Sequence, residues 1–321
     1  MLSALVIRPS SLGDIVHALP IVHDLKLHQP GIAVDWVAEE SFAGLVALNR
    51  GVRRVIPVAL RRWRHRVLRR ATWREMAAFR RELKRESYTA VIDLQEQVKG
   101  ALIARLARGP AHGPDRSSIR EPVATLAYRQ THRIDPNQHL IDRCRSLAAA
   151  AFGYAPMGPP HFDLTPPRLQ DAPDRRYAVF LHSTSRDDKL WPEAHWRTLV
   201  AHFARLGLSI LLPWGDPVER SRSERLALGI GGALVPERRD LPQLASLLAG
   251  AELVCGVDTG LVHLAAALGA PTVSLFVATD PQLAGVERAS DRARDLGGTS
   301  RVPVPEEVIS AASQIASMGA D

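Results

Sequence analysis

The feature that most constrains this chain is a regular alternation between short apolar runs rich in β-branched residues and longer segments with helical periodicity. In the first half, strands are predicted at 5–7, 34–37, 55–58 and 90–94, and helices near 15–27 and 98–107. An alternation of strands and helices is typical of a parallel sheet, because two parallel strands need a long return connection that is usually a helix. We therefore predict the α/β class with doubly wound parallel sheets.

The same alternation starts again after a proline-rich segment. Further strands are predicted at 178–181, 209–212, 253–256 and 272–276, and helices near 193–206, 218–228, 241–249 and 260–268. Six prolines occur from Pro156 to Pro173, and because proline continues neither a helix nor a central strand, we place a linker at 157–173. The sequence thus predicts two Rossmann-like domains, residues 1–160 and 161–321, whose sheets face each other across a cleft with ligands at the carboxyl ends of the strands.

Charge is shared unequally between these two halves. The formal net charge is +7, but residues 1–160 hold 25 Lys and Arg against 14 Asp and Glu, whereas the second half is net negative. A basic domain suits an anionic partner. Two cysteines without a metal-binding cluster, no signal peptide and no apolar run of about 20 residues together predict a cytoplasmic protein without a structural metal.

Asp14 is the first candidate catalytic residue. It follows the first strand and begins a helix, so its carboxylate is expected at the carboxyl end of the sheet, where the sites of α/β proteins gather. Two interpretations stay open, a helix N-cap and a general base. A helix N-terminus lowers the pKa of a carboxylate, so the catalytic interpretation requires compensation from the surroundings.

Two loops in the second half have the composition of phosphate-binding sites. Residues 182–192 join a strand to a helix and supply hydroxyls, backbone donors and Lys189, and residues 257–263 repeat this arrangement with Thr259 and Gly260 at a helix start. The alternatives are a solvated connection for the first loop and Asp258 as N-cap for the second. Asp187 and Asp188 are expected to pair with Arg186 and Lys189, so no metal is predicted.

An arginine-rich segment, 61–74, accounts for much of the basic charge of the first half. It is either a solvated helix face or a surface for phosphate and carboxylate groups. Nucleic acid is the competing partner, but the chain has 5% aromatic residues and shows neither a zinc finger nor an RNA-recognition signature. Neither a P-loop nor a GxGxxG follows a strand, which disfavours ATPases and nicotinamide enzymes.

Five segments in order give the chain a resemblance to the heptosyltransferases of glycosyltransferase family 9. They are RPSSLGD at 8–14, DWVAE at 35–39, RRWR at 61–64, HSTSRDDKLWP at 182–192 and DTGL at 258–261. The resemblance implies a GT-B fold and transfer of L-glycero-D-manno-heptose from ADP-heptose to the first Kdo of Kdo2-lipid A, with inversion and without a metal or cofactor. It also implies peripheral attachment to the anionic cytoplasmic face of the inner membrane, and no nucleic-acid partner.

The resemblance also implies roles for individual residues. Asp14 matches the general base. On the donor side, the matched residues are Thr184, Ser185 and Lys189 for the diphosphate, Asp258 with Thr259 and Gly260 for the sugar and phosphates, and Glu219 for the ribose. On the acceptor side, they are Ser10, Ser11, Arg61, Arg62, Arg64, Lys99 and Arg120.

Three positions depart from the family pattern. Glu96 stands where glycine is common, Ala278 where proline is usual, and His65 where a lysine can occur. Glu96 and Ala278 affect local loop geometry and are not expected to touch the chemistry, whereas His65 is expected to weaken the attraction of the acceptor by one charge. A related member of the family that adds the second heptose or another sugar is the nearest alternative, and the RRWR segment favours the first heptose.

Overall fold

The protein is described by a computed structural model that covers residues 2–168 and 176–316. The chain divides into two compact units, Met1–Thr165 and Pro166–Asp321, so the observed division lies five residues beyond the expected one. The predicted linker, 157–173, falls partly outside the described residues. None of the helices in the described ranges is long and apolar enough to cross a bilayer.

The first unit is built on a six-stranded parallel sheet. Its strands are β1 Ser3–Ile7, β2 Ala33–Glu39, β3 Val52–Val58, β4 Ala90–Asp93, β5 Ala111–Pro114 and β6 Gln130–His132. Its helices are α1 Leu12–Ala18, α2 Pro20–His28, α3 Ala43–Val46, α4 Leu60–Arg64, α5 Arg70–Leu83, α6 Val98–Leu106 and α7 Leu140–Phe152, with a 3₁₀ turn at Pro122–Ala127. The predicted helix at 15–27 is in fact two helices, because Pro20 begins α2.

The second unit repeats this plan. Its strands are β7 Tyr177–Leu181, β8 Ser209–Leu211, β9 Ala233–Leu234, β10 Leu253–Val257, β11 Thr272–Phe276 and β12 Ala293–Gly297. Its helices are α8 Glu193–Arg205, α9 Pro217–Ala227, α10 Leu241–Ala249, α11 Gly260–Ala267 and α12 Pro305–Ile315, with 3₁₀ turns at Asp187–Lys189 and Pro281–Leu283.

The central strands are buried on both faces, which explains their continuous apolar sequences. In the first unit, Leu5, Ile7 and Val91 pack with Trp63 of α4 and Ile103 of α6 in one cluster. In the second unit, Phe180 and Cys255 are fully buried against α8. Removing this much apolar area from water is the main contribution to the stability of each unit.

The order of the strands is the same in both sheets and fixes where ligands can bind. The first sheet runs β3-β2-β1-β4-β5-β6 and the second runs β9-β8-β7-β10-β11-β12. Both have the Rossmann order, in which the direction of winding reverses between two neighbouring strands. The reversal lies between β1 and β4 in the first unit and between β7 and β10 in the second. Ligands of such sheets bind beyond the carboxyl ends of the strands at the reversal.

Candidate active site

Asp14 lies at the reversal point of the first sheet, in the first turn of α1. Ser11 is the N-cap of this helix, and the Asp14 carboxylate accepts hydrogen bonds from the Ser11 N–H at 2.9 Å and from the Ser11 hydroxyl at 2.8 Å. Of the two interpretations left open, that of Asp14 as the N-cap is therefore wrong: Asp14 is the third residue of the helix, and it completes a capping box. The carboxylate thus has a local structural role in addition to any catalytic one.

Arg8 binds the other side of the same carboxylate. Its guanidinium lies 3.0 Å from Asp14 Oδ1, and its side chain is buried, whereas 34% of the Asp14 side chain is exposed. Burial by itself raises the pKa of the Asp14 carboxyl, but the charge of Arg8 and the hydrogen bonds from Ser11 outweigh it and hold this pKa below its ordinary value. Asp14 is therefore ionised at neutral pH and able to accept a proton.

A cavity of about 400 Å³ opens beside Asp14 within the first unit. Its wall is mostly polar and charged: Arg8, Asp14, Gln95, Glu96, Ser117, Ser118, Ile119, Arg120, Pro136, Leu140 and Arg143. Among the predicted acceptor residues, Arg120 lies in this wall. A cavity with several hydrogen-bond donors and two carboxylates suits a polyhydroxylated, anionic ligand.

Ser10, Ser11 and Lys99 lie next to this cavity. The Ser10 N–H donates to Gln95 Oε1 at 3.2 Å, and Lys99 Nζ is 3.4 Å from Ser10 Oγ. Burial lowers the pKa of the Lys99 amine, and the nearby charge of Arg61 lowers it further. Gln95, in the loop after β4, therefore supports the Ser10–Ser11 segment, and Lys99 on α6 lies close enough to Arg61 on α4 for their charges to interact.

The three arginines of RRWR differ in their surroundings. Arg61 is exposed and its guanidinium stacks over Phe42, while Arg64 is exposed beside His65. Arg62 instead forms ion pairs with Glu40 and Glu75 at 3.0 and 2.7 Å. The fold itself thus compensates the charge of Arg62, which weakens its assignment as an acceptor residue.

Sequence reasoning did not assign the residues that complete the cavity wall. Arg8 belongs to the RPSSLGD segment, and its place at the end of β1 could have indicated it. Glu96 was expected to lie away from the chemistry, but it lines the cavity and binds Arg143 at 2.8 Å. Arg143 and Ser117 carry no local signal, because only the fold brings α7 and the loop after β5 to this place.

In the second unit, Asp258 and Lys189 form an ion pair at the reversal point of the sheet. Lys189 Nζ lies 2.5 Å from Asp258 Oδ2, and about one sixth of each side chain is exposed. Asp258 also accepts a hydrogen bond from the Thr279 hydroxyl at 2.7 Å and lies 3.3 Å from His263 Nε2. Burial opposes ionisation here, but the hydrogen bonds from His263 and Lys189 lower the pKa of Asp258 strongly, so it is a carboxylate.

The surroundings of Asp258 and Lys189 differ from two of the interpretations made from the sequence. Thr259, not Asp258, is the N-cap of α11, and Gly260 is its first residue. Arg186 pairs with Asp188 as expected, but Lys189 binds Asp258 rather than its acidic neighbours. The loops after β7, β10 and β11 consequently meet at one group of charged atoms.

The loop at 182–192 also supplies hydroxyl and backbone N–H groups that can donate hydrogen bonds. Thr184 Oγ1 donates to the Asp258 carbonyl at 3.3 Å, and Ser185 is exposed in the same loop. The first turn of α11 begins at Gly260, and the N–H groups of such a turn have no partner within the helix and favour an anion. An ammonium, two hydroxyls and a helix N-terminus are the elements of a diphosphate site.

Glu219 lies in the first turn of α9, beyond the carboxyl end of β8. Its carboxylate accepts the Gly215 N–H at 2.6 Å, while Asp216 is the N-cap of the helix. The buried His182 joins β7 to α9 through a 2.7 Å hydrogen bond to Ser223. Burial lowers the pKa of His182 to about 4, so it is neutral and structural. Glu219 thus lies on the helix that His182 connects to the loop at 182–192. Its contact with the ribose stays a prediction.

No group of three or more His, Cys, Asp or Glu side chains with a metal-binding arrangement occurs among residues 2–168 and 176–316. Cys144 and Cys255 are both buried and unpaired. Lys189, which is paired with Asp258, and the N-terminus of α11 are the positively polarised groups that this part of the second unit brings together.

Comparison with known proteins agrees with this geometry. The sequence model described as glycosyltransferase family 9 (heptosyltransferase) matches residues 76–303. Lipopolysaccharide heptosyltransferase 1 of Escherichia coli K12 is 45% identical over 285 residues, which cover 88% of this chain and 89% of that protein.

Two solved structures are similar over almost the whole chain. The E. coli heptosyltransferase WaaC with ADP has a TM-score of 0.90 at 39% identity and covers 98% of this chain and 100% of its own. WaaC with ADP-2-deoxy-2-fluoro heptose has a TM-score of 0.86 at 39% identity, with 98% and 99% coverage. The predicted fold class, α/β of the GT-B type, is confirmed. With a family match over most of the sequence, close relatives and a charged site at each sheet reversal, the chain belongs to glycosyltransferase family 9, the heptosyltransferases.

Proposed function

We propose that this protein transfers L-glycero-D-manno-heptose from ADP-heptose to the first Kdo residue of Kdo2-lipid A, with inversion at the anomeric carbon and without a metal ion. The observation that carries the proposal is the pair of charged sites at the two sheet reversals: an ionised carboxylate in a polar cavity in one unit, and a lysine beside a helix N-terminus in the other. The names of the similar E. coli proteins, which mention lipopolysaccharide, heptose transfer and ADP, support the choice of donor and acceptor.

On the acceptor side, Asp14 removes the proton from the attacking hydroxyl. The carboxylate is held in one orientation by Arg8 and Ser11, so it does not have to be ordered when the substrate arrives. Arg120 and Lys99 supply positive charge for the carboxylates of the Kdo residues. The hydroxyl oxygen then forms its bond to the anomeric carbon of the donor, and the proton stays on Asp14.

On the donor side, the bond between the anomeric carbon and the diphosphate oxygen breaks, and ADP leaves. Positive charge develops on the sugar ring, as in glycoside hydrolysis, and negative charge develops on the leaving oxygen. Lys189 and the N-terminus of α11 stabilise the diphosphate, while Asp258 orients the ammonium group of Lys189.

The proposal predicts acceptor-dependent release of ADP that does not require a divalent cation. Purified protein mixed with ADP-heptose and Kdo2-lipid A should release ADP at the same rate with and without EDTA, because protein groups balance the charge of the leaving group. Omission of Kdo2-lipid A serves as the control. Loss of ADP release in EDTA and its recovery with Mg²⁺ would contradict the metal-independent mechanism.

We further propose that the protein works on the cytoplasmic face of the inner membrane and attaches there through residues 64–74, a segment that runs from the end of α4 into the first turns of α5. Leu68 is 96% exposed and Trp73 is 61% exposed, and the Trp73 Nε1–H donates to the Val67 carbonyl at 2.8 Å. Five arginines accompany these apolar side chains in the same segment: Arg64, Arg66, Arg69, Arg70 and Arg74. Exposed apolar residues among arginines suit an anionic bilayer surface, where each basic residue contributes about 1 kcal/mol.

Vesicle binding tests this attachment. The protein should co-sediment with vesicles rich in phosphatidylglycerol and much less with pure phosphatidylcholine. Leu68→Ser should weaken the binding by about 10–150-fold, because burial of a leucine stabilises by roughly 1.5–3 kcal/mol. The matched control is Leu228→Ser, which changes a leucine of the second unit that is 72% exposed. Equal loss of binding in both variants, or none in either, would contradict the assignment of this segment.

A further inference from the structure

Glu96 has an unusual backbone conformation beside the proposed acceptor cavity. Its φ is +58°, in the left-handed region that favours glycine, and Asp163 is the other non-glycine residue with positive φ in the described parts of the chain. Glu96 follows β4 at the sheet reversal and precedes α6. Residues held in such conformations cluster at functional sites, where the surrounding structure fixes them.

Two contacts fix Glu96 in place. Nη2 of Arg143 donates to both carboxylate oxygens of Glu96, at 2.9 and 2.8 Å, and the Glu96 carbonyl accepts the Glu121 N–H at 3.3 Å. Only 14% of the Glu96 side chain is exposed. The carboxylate is therefore rigid, and it belongs to the same cavity wall as Asp14.

The Glu96 carboxylate has spare capacity for hydrogen bonds. A carboxylate offers about four acceptor positions, and a single nitrogen of Arg143 occupies only one on each oxygen. The Asp14 carboxylate, by contrast, already receives Arg8 and Ser11. Among the carboxylates of the cavity, Glu96 is therefore the one best able to accept hydrogen bonds from neutral hydroxyl groups of a ligand.

We propose that Glu96 is an acceptor-binding residue that receives hydrogen bonds from hydroxyl groups of the acceptor sugar and so selects which hydroxyl reaches Asp14. The inference rests on the proposed function. Its carboxylate, already paired with Arg143, accepts hydrogen bonds from the hydroxyl-bearing edge of the acceptor, whereas Arg120, in the same wall, attracts the acceptor carboxylate. A hydrogen-bond acceptor and a positive charge at two places in one cavity give the sugar a single favoured orientation.

The test compares Glu96→Gly and Glu96→Gln in acceptor binding and in turnover. Glycine suits the positive φ, so Glu96→Gly removes the carboxylate without new backbone strain. We expect the Kd for Kdo2-lipid A, measured by calorimetry without donor, to rise about tenfold in Glu96→Gly, which corresponds to about 1.4 kcal/mol. Glu96→Gln keeps one acceptor oxygen and should show a smaller rise. The KM for ADP-heptose should not change in either variant.

Glu82→Gln is the matched control, because it also removes an ion-pair carboxylate from the first unit, that of Arg54 and Glu82, but outside the cavity wall. The inference would be overturned if Glu96→Gly left the Kd for the acceptor unchanged and lowered Tm. Glu96 would then have only a structural role, as the residue whose ion pair with Arg143 connects the loop after β4 to α7. Because Kd is measured without turnover, wild-type protein that binds the acceptor but releases no ADP would contradict the proposed function and still test Glu96.

Discussion

Asp14→Asn should lower kcat for heptose transfer by about 10²–10⁴-fold, the usual contribution of a positioned general base. Asparagine has nearly the same shape and can still accept the Ser11 N–H that Asp14 accepts at 2.9 Å, so the start of α1 should persist. What is lost is the negative charge and the ability to take the proton. The measurement is kcat from acceptor-dependent ADP release at saturating ADP-heptose, together with the Kd for ADP, which should stay within about twofold of wild type.

The competing account of Asp14 is purely structural, because it completes a capping box and pairs with the buried Arg8. Asp240→Asn is the matched control, since Asp240 is the capping-box carboxylate at the start of α10 in the second unit. Asparagine caps a helix about as well as aspartate, so the control should keep both its Tm and its kcat, and any fall in the Tm of Asp14→Asn reports the lost ion pair with Arg8. If Asp14→Asn lowers only Tm and keeps its kcat, the catalytic assignment is wrong.

The second large effect is expected for Lys189→Ala. Lys189 Nζ is 2.5 Å from Asp258 and is the ammonium group beside the N-terminus of α11. Its removal leaves the developing charge on the diphosphate without its strongest protein partner and leaves the Asp258 carboxylate without a cation. We expect kcat/KM for ADP-heptose to fall about 10²–10³-fold, as when one preorganised donor is removed from a site that stabilises developing charge. Calorimetry with ADP should show weaker binding as well.

Two variants in the same loop make this result specific. Lys189→Arg keeps the charge and should recover part of the activity, although the guanidinium has a different shape. Arg186→Ala removes a neighbouring cation that is paired with Asp188 at the surface, and it should behave almost as wild type. An ADP affinity in Lys189→Ala equal to that of wild type would exclude Lys189 from the donor site.

Much of the fold could be predicted from the sequence, because the central strands are buried on both faces and their apolar runs are continuous. The strands near the edges of the two sheets could not be predicted. β5 contains His112, Gly113 and Pro114, β6 is only three residues long, and β9 has two. These strands exist because a neighbouring strand offers them hydrogen bonds, and this is a tertiary effect that local composition does not reveal.

Only some residues of the candidate site could be predicted from the sequence. Asp14, Lys189 and Asp258 each follow a recognisable strand, so their location at the carboxyl edge of a sheet was accessible from sequence. Their partners were not, because Arg8 binds Asp14 and Thr279 binds Asp258 through side-chain geometry. The ion pairs of Arg62 could not be predicted for the same reason, since Glu40 and Glu75 come close to it only in the folded unit.

The most direct test of the central claim is mass spectrometry of the acceptor. After incubation of the pure protein with ADP-heptose and Kdo2-lipid A, the account predicts an acceptor heavier by one heptose unit, formed in equal amount to the ADP released. Asp14→Asn should form this product far more slowly. An acceptor of unchanged mass in the presence of protein that binds ADP, or addition of heptose only to an acceptor that already carries one, would contradict the account.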